Sequence, residues 1–418
     1  MNSDLFYHQE SCRLCGKIDL HKILELKPTP AGNNFLTLEE KLKNNEPIFP
    51  LELYFCRDCF HLQLGHIVSP DHLFKDHYHF VSGTSQVNVN HFENYAEDVI
   101  SKFKLKSNSF ILDIGSNDGT CLNAFKNRGM RVLGIDAAEN VAQIANDNGI
   151  ETKAAFFSKD LALDIKEQYG IPDLITSHNV LAHIEDFSGA IDAIASLMDQ
   201  DSIFIFEVGY FLDVFQNLWF DTIYHEHLDY HTVAPLKKFF TSIGMELFDT
   251  KRIDIQGGSI RNFIQLSGGQ HQKSSSIEEL ILLEKQKGLT NISDLKSFQS
   301  RIDSVKDNLS QLLKDIKEEG NSIAGYGAPT KSTTLMNYFE LDESLIDYII
   351  DDNPLKQDKF SPLLHIPVVS SDYLLGDTQP DYLLILAWNF AESIIKKVKN
   401  SSNFAGKYII PLPNAKIV

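Results

Sequence analysis

The stretch Phe110-Ile-Leu-Asp-Ile-Gly-Ser-Asn-Asp-Gly-Thr120 constrains the fold more than any other. An apolar run, Phe110 to Ile114, stops at a glycine-rich turn, Gly115 to Gly119. A segment of helical character follows, and a second apolar run, Val132 to Ile135, closes on Asp136. Strand, tight turn, helix, strand, acid is how a doubly wound α/β sheet holds an adenosine-containing cofactor. Glycines let the backbone approach the ligand, and the acid accepts hydrogen bonds from two ribose hydroxyls. A dinucleotide fingerprint needs glycine where Asn117 stands, and Asp113 and Asp118 put negative charge where a pyrophosphate would lie. Acids around the turn suit a cofactor with a positive charge and no phosphate, such as S-adenosylmethionine. Asp113, Gly115, Asn117, Asp118, Gly119 and Asp136 are the expected contacts; an ordinary strand–turn–helix is the alternative.

At 418 residues the chain is too long for one compact core, so two or three domains are expected. A formal charge of −19 argues against a nucleic-acid or anionic-membrane surface, while leaving room for a local basic pocket. The opening Met1-Asn-Ser-Asp carries no secretory pattern, and no apolar run approaches the roughly 20 residues that span a bilayer. A cytoplasmic location is the expectation. Four of the five cysteines form two close pairs, Cys12/Cys15 and Cys56/Cys59. Two Cys-x-x-Cys knuckles complete a four-thiolate zinc site with Zn–S of about 2.3 Å, closed and therefore structural. Redox or disulfide use is the alternative. Cys121 reads as a helix packing residue, and the stretch between the knuckles, with Pro28, Pro30, Pro47 and Pro50, as loop-rich.

Beyond the knuckles, Phe74 to Ser82 is dense in aromatics and histidines; it reads as a packing surface or as a lid carrying Tyr78. Strands are expected over 110–114, 132–136, 173–178 and 202–208 with helices between, the alternation of a parallel sheet. Ligands sit outside the carboxyl ends of such strands, which places Asn179, His183, Glu207 and Tyr210 near the ligand edge, Asn179 toward the cofactor. Residues 276–319 are polar and helical. Leu295, Phe298, Ile302, Val305, Leu309, Leu312 and Ile316 form a stripe read as core, with a coiled-coil seam as the alternative. The C-terminal part looks like a second, smaller α/β unit. Gly325-Tyr326-Gly327 leads to Lys331 at a helix start, a second strand ends at Asp351 and Asn353, and a third runs from Asp381 to Trp388. A lysine at a helix N-terminus favours an anion, so Tyr326, Lys331, Asp351 and Asn353 are candidates for a phosphate-bearing substrate; a structural turn is the alternative.

Thirteen residues from Trp219 to His231 concentrate Asp221, Tyr224, His225, Glu226, His227, Tyr230 and His231. They read as a metal site, a satisfied polar cluster, or, as favoured by their place beyond the fourth strand, a histidine base oriented by a carboxylate with a tyrosine donating a hydrogen bond. Gln256-Gly-Gly-Ser259-Ile-Arg261 would bound the same cleft, or is a plain turn between two strands.

Taken in order, the two knuckles, Ile-Gly-Ser-Asn-Asp-Gly-Thr, Asp-Thr-Ile-Tyr-His-Glu-His, Gly-Gly-Ser-x-Arg, Gly-Tyr-Gly-Ala-x-x-Lys and Leu-Ala-Trp-Asn resemble the S-adenosylmethionine-dependent sugar C-methyltransferases, which branch nucleotide-linked 4-keto deoxysugars at carbon 3. The resemblance runs from Cys12 to about Asn389. It implies an α/β protein in which a Rossmann-like methyltransferase domain, 69–255, is flanked by an N-terminal zinc-binding domain, 1–68, and a C-terminal α/β domain for the nucleotide sugar, 256–418. It implies a base role for His227, with Tyr224, Glu226 and His183 beside it and Tyr78 at the sugar; Ser259 and Arg261 join the substrate candidates. The expected partner is a thymidine- or guanosine-diphosphate sugar, and the expected state is a monomer. An O- or N-methyltransferase on another small molecule is the nearer alternative, and a zinc-ribbon binding protein with a decayed α/β domain the remoter one.

Overall fold

The computed structural model describes residues 5–74, 81–376 and 379–418. Alternation organises the N-terminal part. In the strand Phe49–Cys56, Leu51, Leu53 and Phe55 are buried while Glu52 and Tyr54 are half-buried, the two-residue period of a sheet with one face in the core. This strand pairs antiparallel with Leu20–Thr29 on one side and Leu62–Leu64 on the other. The stretch expected to be loop-rich thus holds two paired strands and a short helix, Leu38–Lys43. Pro28 is tolerated because Leu20–Thr29 lies at the sheet edge, and Pro50 falls beside a break in register between Leu26 and Thr29. The fourth strand of this sheet comes from far along the chain: Asp229–Tyr230 pairs with Leu62–Leu64.

The central sheet has seven strands, in the spatial order Met245–Ile253, Ser259–Leu266, Ile203–Gly209, Leu174–His178, Phe110–Ile114, Arg131–Asp136, Thr152–Ala154. All but Ser259–Leu266 run parallel to one another. Phe110–Ile114 is buried along its whole length, as a strand covered on both faces by helices must be. The order in which strands are added reverses between Phe110–Ile114 and Leu174–His178, which run parallel, and that switch point is where such sheets bind ligands. The hairpin Met245–Ile253/Ser259–Leu266 carries this sheet beyond residue 255, so the segment assigned to a separate C-terminal domain begins as a central strand.

The C-terminal sheet repeats the plan with six strands: Val368–Val369, Ile349–Ile350, Ile323–Tyr326, Tyr382–Ile385, Lys407–Ile410, Lys416–Ile417. The first five are parallel and the last is antiparallel. The expected third strand stops at Ile385, and Trp388–Phe390 forms a short 3-10 turn. Between the sheets, Ile292–Glu318 is one long helix whose buried face comprises Leu295, Phe298, Ile302, Val305, Leu309, Leu313 and Ile316. Phe298 packs against Phe211 and Phe215 of the central domain, so the stripe is core rather than a dimer seam. Leu313 takes the place expected for Leu312 because the helix advances 3.6 residues per turn. Among the described residues no helix is long and apolar enough to cross a membrane.

Candidate active site

The turn after Phe110–Ile114 is held from the neighbouring strand. Gly115 and Ser116 donate their N–H groups to the Ile135 carbonyl, and Asn117 donates its own to Asp136 Oδ2 at 2.8 Å. Asp136 Oδ1 accepts from Ala138 N–H at 2.9 Å. Each carboxylate oxygen keeps a second acceptor direction. Gly115 has φ +73°, and a Cβ there would stand 2.1 Å from Val180; only glycine fits both constraints. Gly119 and Asn117 also have positive φ, as does Asn179 across the switch point.

Two acids of the turn look inward. Asp118 accepts from Thr120 N–H and Oγ1 through Oδ1 and from Gly83 N–H through Oδ2. These three donors make Asp118 a fixture of the turn. Asn117 Oδ1 likewise accepts from Ser82 N–H at 2.9 Å. Asp113 is buried in a compact group with Cys121 and His178, and burial raises its pKa.

At the adjoining edge, the 3-10 turn Leu181–His183 follows the strand Leu174–His178. The His183 ring lies edge-on to that of His227, centroids 4.8 Å apart. His227 Nδ1–H donates to the Thr222 carbonyl at 2.9 Å, so Nε2 is left as an acceptor for the Tyr224 hydroxyl, also at 2.9 Å. The ring is therefore oriented by a backbone carbonyl and not by Glu226, a correction to the expected carboxylate. Sequence carries no signal for it, since every residue has a carbonyl. Burial pulls His227 down to about 4 and, with the neighbouring His227 adding to the effect, His183 to about 3. Both are neutral near pH 7. Burial pushes Glu226 up to about 7 against the attraction of Lys356. Lys356 is itself buried and donates to the Ala328 carbonyl at 2.6 Å. A lone lysine in a polar loop gave no hint of this place.

The metal reading of the histidine cluster does not hold. His225 packs against Phe49 and His231 against His61 and Phe187, away from His227. Ser259 and Arg261 are also corrected. Ser259 is fully buried and donates to the Ile255 carbonyl, while Arg261 Nε donates to Glu207 Oε1 at 2.6 Å, directly across paired strands. A buried arginine paired in this way is committed to the sheet, and the glycines before it serve the hairpin turn.

In the C-terminal unit, Asp351 accepts from Ala328 N–H and Asn353 N–H, and Asn353 Oδ1 accepts from Leu355 N–H. Both side chains thus close loops. The Tyr326 hydroxyl points to Asp352 at 3.4 Å. Lys331 lies 3.6 Å from the centre of the Trp388 ring, and Trp388 Nε1–H donates to Asp221 Oδ2 at 2.6 Å. Burial lowers Lys331 to about 8, with Asp221 opposing. The 219–231 segment and the C-terminal unit thus meet at Asp221, Trp388 and Lys331. Tyr78 lies outside the described residues.

The four knuckle sulfurs converge within 4.8 Å of one another. Cys12 and Cys59 are 3.5 Å apart, Cys15 and Cys56 3.6 Å, and all are free thiols. A tetrahedral zinc with Zn–S of about 2.3 Å places its sulfurs about 3.8 Å apart, so the residues fit the ion. The knuckles also match each other: Gly16 and Phe60, both with positive φ, donate to the carbonyls of Cys12 and Cys56 at 2.8 Å.

Three family models match in series: “Putative zinc binding domain” at residues 12–74, “Methyltransferase domain” at 89–249 and “C-methyltransferase C-terminal domain” at 254–413. C-methyltransferase NovU of Streptomyces niveus is 32% identical over 98% of this chain and 97% of its own length. A ubiquinone biosynthesis O-methyltransferase of Hydrogenovibrio crunogenus is 30% identical over 23% of this chain and 42% of its own. The solved magnesium protoporphyrin IX methyltransferase of Synechocystis PCC 6803 overlaps 43% of this chain and 82% of its own at 18% identity and a TM-score of 0.33, a likeness that carries no argument. With one relative matched from end to end and the methyltransferase models ordered along it, the chain belongs to the S-adenosylmethionine-dependent C-methyltransferase family.

Proposed function

We propose that the chain methylates carbon 3 of a nucleotide-diphosphate-linked 4-keto-6-deoxyhexose, through an enolate, in branched deoxysugar biosynthesis. The observation that carries this reading is the Tyr224–His227–Thr222 hydrogen-bond chain with His183 against it, at the edge of the switch point. A carbon nucleophile needs a proton removed and an oxyanion stabilised, and the chain offers groups for both. A 4-ketone acidifies the hydrogen on carbon 3 by spreading the resulting charge onto its oxygen. His227 Nε2 accepts that proton while the Thr222 carbonyl holds the ring through Nδ1–H. The Tyr224 hydroxyl, released from Nε2 as the proton arrives, donates to the enolate oxygen, with His183 beside it. S-adenosylmethionine, when bound at the Gly115 turn with Asp136 and Asn179 beside it, supplies the electrophilic methyl group. The Lys331 ammonium, next to the C-terminal glycine turn, attracts the diphosphate.

Glu226 favours a second assignment of the base, because a carboxyl group near 7 is well matched to proton abstraction at neutral pH. The pH dependence of kcat/KM separates the two. A rising limb near 4 belongs to His227 and one near 7 to Glu226. His227→Asn should lower kcat by about 10²- to 10⁴-fold with cofactor affinity intact. Near wild-type turnover from a folded His227→Asn protein would remove His227 from the role.

A further inference from the structure

Arg13 stands between two zinc ligands, Cys12 and Cys15, yet its side chain leaves the knuckle and is only 4% exposed. Its Nε donates to Asp229 Oδ1 at 2.9 Å, and Nη2 donates to Asp229 Oδ2 at 3.1 Å and to the Ile184 carbonyl at 2.6 Å. Asp229 lies two residues after His227, and Ile184 directly follows His183. One guanidinium therefore grips both chain segments that carry the facing histidines. Its backbone is anchored in turn: Arg13 N–H donates to Gln63 Oε1 at 2.8 Å, on the strand that pairs with Asp229–Tyr230. His61 Nε2 meets Asp229 Oδ1 at 2.8 Å from the second knuckle. Leu228 N–H donates to the Ala182 carbonyl at 2.7 Å, tying the two segments to each other.

We infer that Arg13 is a positioning residue for the methyl transfer: the N-terminal knuckle sets, through its fork to Asp229 and Ile184, the distance between the His183 and His227 rings. The inference rests on the proposed role of those histidines. A planar fork with three bonds fixes two segments at once, which a lysine cannot do. Buried arginine–carboxylate pairs with their remaining hydrogen bonds satisfied specify geometry even where they add little stability. Displacement of a reacting group by about 1 Å is enough to lower turnover on the order of 10²-fold.

Arg13→Lys and Arg13→Ala in the full chain test this with two readouts. The first is the rate at which diethylpyrocarbonate modifies each histidine, resolved by peptide mass spectrometry, with exposed His21 as the internal control. The second is steady-state turnover with S-adenosylmethionine and a nucleotide-linked 4-keto-6-deoxyhexose. Expected are full zinc content and cofactor KM within about twofold, at least fivefold faster modification of His183 and His227, and kcat lower on the order of 10²-fold. Added guanidinium should restore the Arg13→Ala protein, whose cavity it fits, and not the Arg13→Lys protein. Unchanged modification of both histidines in the folded variants overturns the inference, as does loss of zinc from both, which would make Arg13 a folding residue of the knuckle. If Arg13→Ala does not fold, Arg13→Lys, which keeps the charge, decides alone. A wild-type protein inactive on the keto sugar overturns the proposed function instead and leaves the modification contrast to judge Arg13.

Discussion

At the switch point of the central sheet, Gly115 donates to Ile135, Asn117 to Asp136 Oδ2 and Ala138 to Asp136 Oδ1; at that of the C-terminal sheet, Gly327 donates to Ile350, Ala328 to Asp351 Oδ2 and Asn353 to Asp351 Oδ1. In both, the glycine donates to the carbonyl just before the acid, and the acid accepts from the turn and from the residue two beyond itself; the turn donor stands two residues past Gly115 but one past Gly327. Even the obstacle to a side chain repeats. A Cβ on Gly115 would meet Val180, and one on Gly327 would meet Ala387, each two residues past the end of the strand across the switch point. The surroundings differ. Gly115 is half-buried beside Asp136 and Asn179, whereas Gly327 is buried, with Lys356 on the Ala328 carbonyl and Lys331 over Trp388, which stacks on Trp219. A glycine turn and an acid thus specify a scaffold, and the side chains around it differ: an acid and an asparagine at one turn, two lysines at the other.

Substitutions at equivalent positions break or sharpen that comparison. Gly115→Ala combines a positive φ with a Cβ 2.1 Å from Val180; cofactor affinity by titration calorimetry should fall on the order of 100-fold. Gly327→Ala, with its Cβ 2.7 Å from Ala387, should lower stability by about 1–3 kcal/mol and leave cofactor affinity alone. Equal loss of cofactor binding in both proteins would show that the two turns are not separate sites. Next in size, Asp136→Ala and Asp351→Ala each strand two backbone donors, destabilising by about 1–3 kcal/mol in denaturant titrations. Only Asp136→Ala should also weaken the cofactor.

Lys331→Met should raise the KM for the nucleotide sugar on the order of tenfold, with cofactor KM unmoved; the reverse pattern would put the lysine at the wrong ligand. A further contrast is in pH. His183 and His227, held near 3 and 4 against about 6.5 unfolded, contribute stability that is complete above about 6.5 and lost as pH falls toward 4. Lys331, near 8 against about 10.4 unfolded, contributes stability present above the unfolded value and lost as pH falls through 8. Melting curves should therefore separate the regions. His227→Asn flattens the acid window, and Lys331→Met the alkaline one.

Much of the scaffold was legible. The Phe110 run is largely apolar because its strand is covered on both faces, and Gly115 admits only glycine, so the order of residues located this strand and its turn. The knuckles were legible because two paired cysteine turns are a set that a tetrahedral zinc accepts. Long-range partners were not. Arg261 reads as a cation at a cleft until its strand is seen opposite Glu207, and the bond from Gly83 that helps fix Asp118 shows only in the fold. Alternation in Phe49–Cys56 was present in the letters but masked by prolines, which edge strands and register breaks tolerate. That Asp229–Tyr230 completes the knuckle sheet has no local signature, since its partner lies far away in sequence.

The central claim is methylation at a carbon that first loses its proton. The direct test is incubation with S-adenosylmethionine and a nucleotide-linked 4-keto-6-deoxyhexose carrying deuterium at carbon 3, read by mass spectrometry. A product that gains one methyl group and loses the deuterium is the predicted result. A methylated product that keeps the deuterium would place the methyl group on oxygen, on nitrogen or on carbon 5, the other carbon beside the ketone, and contradict the account.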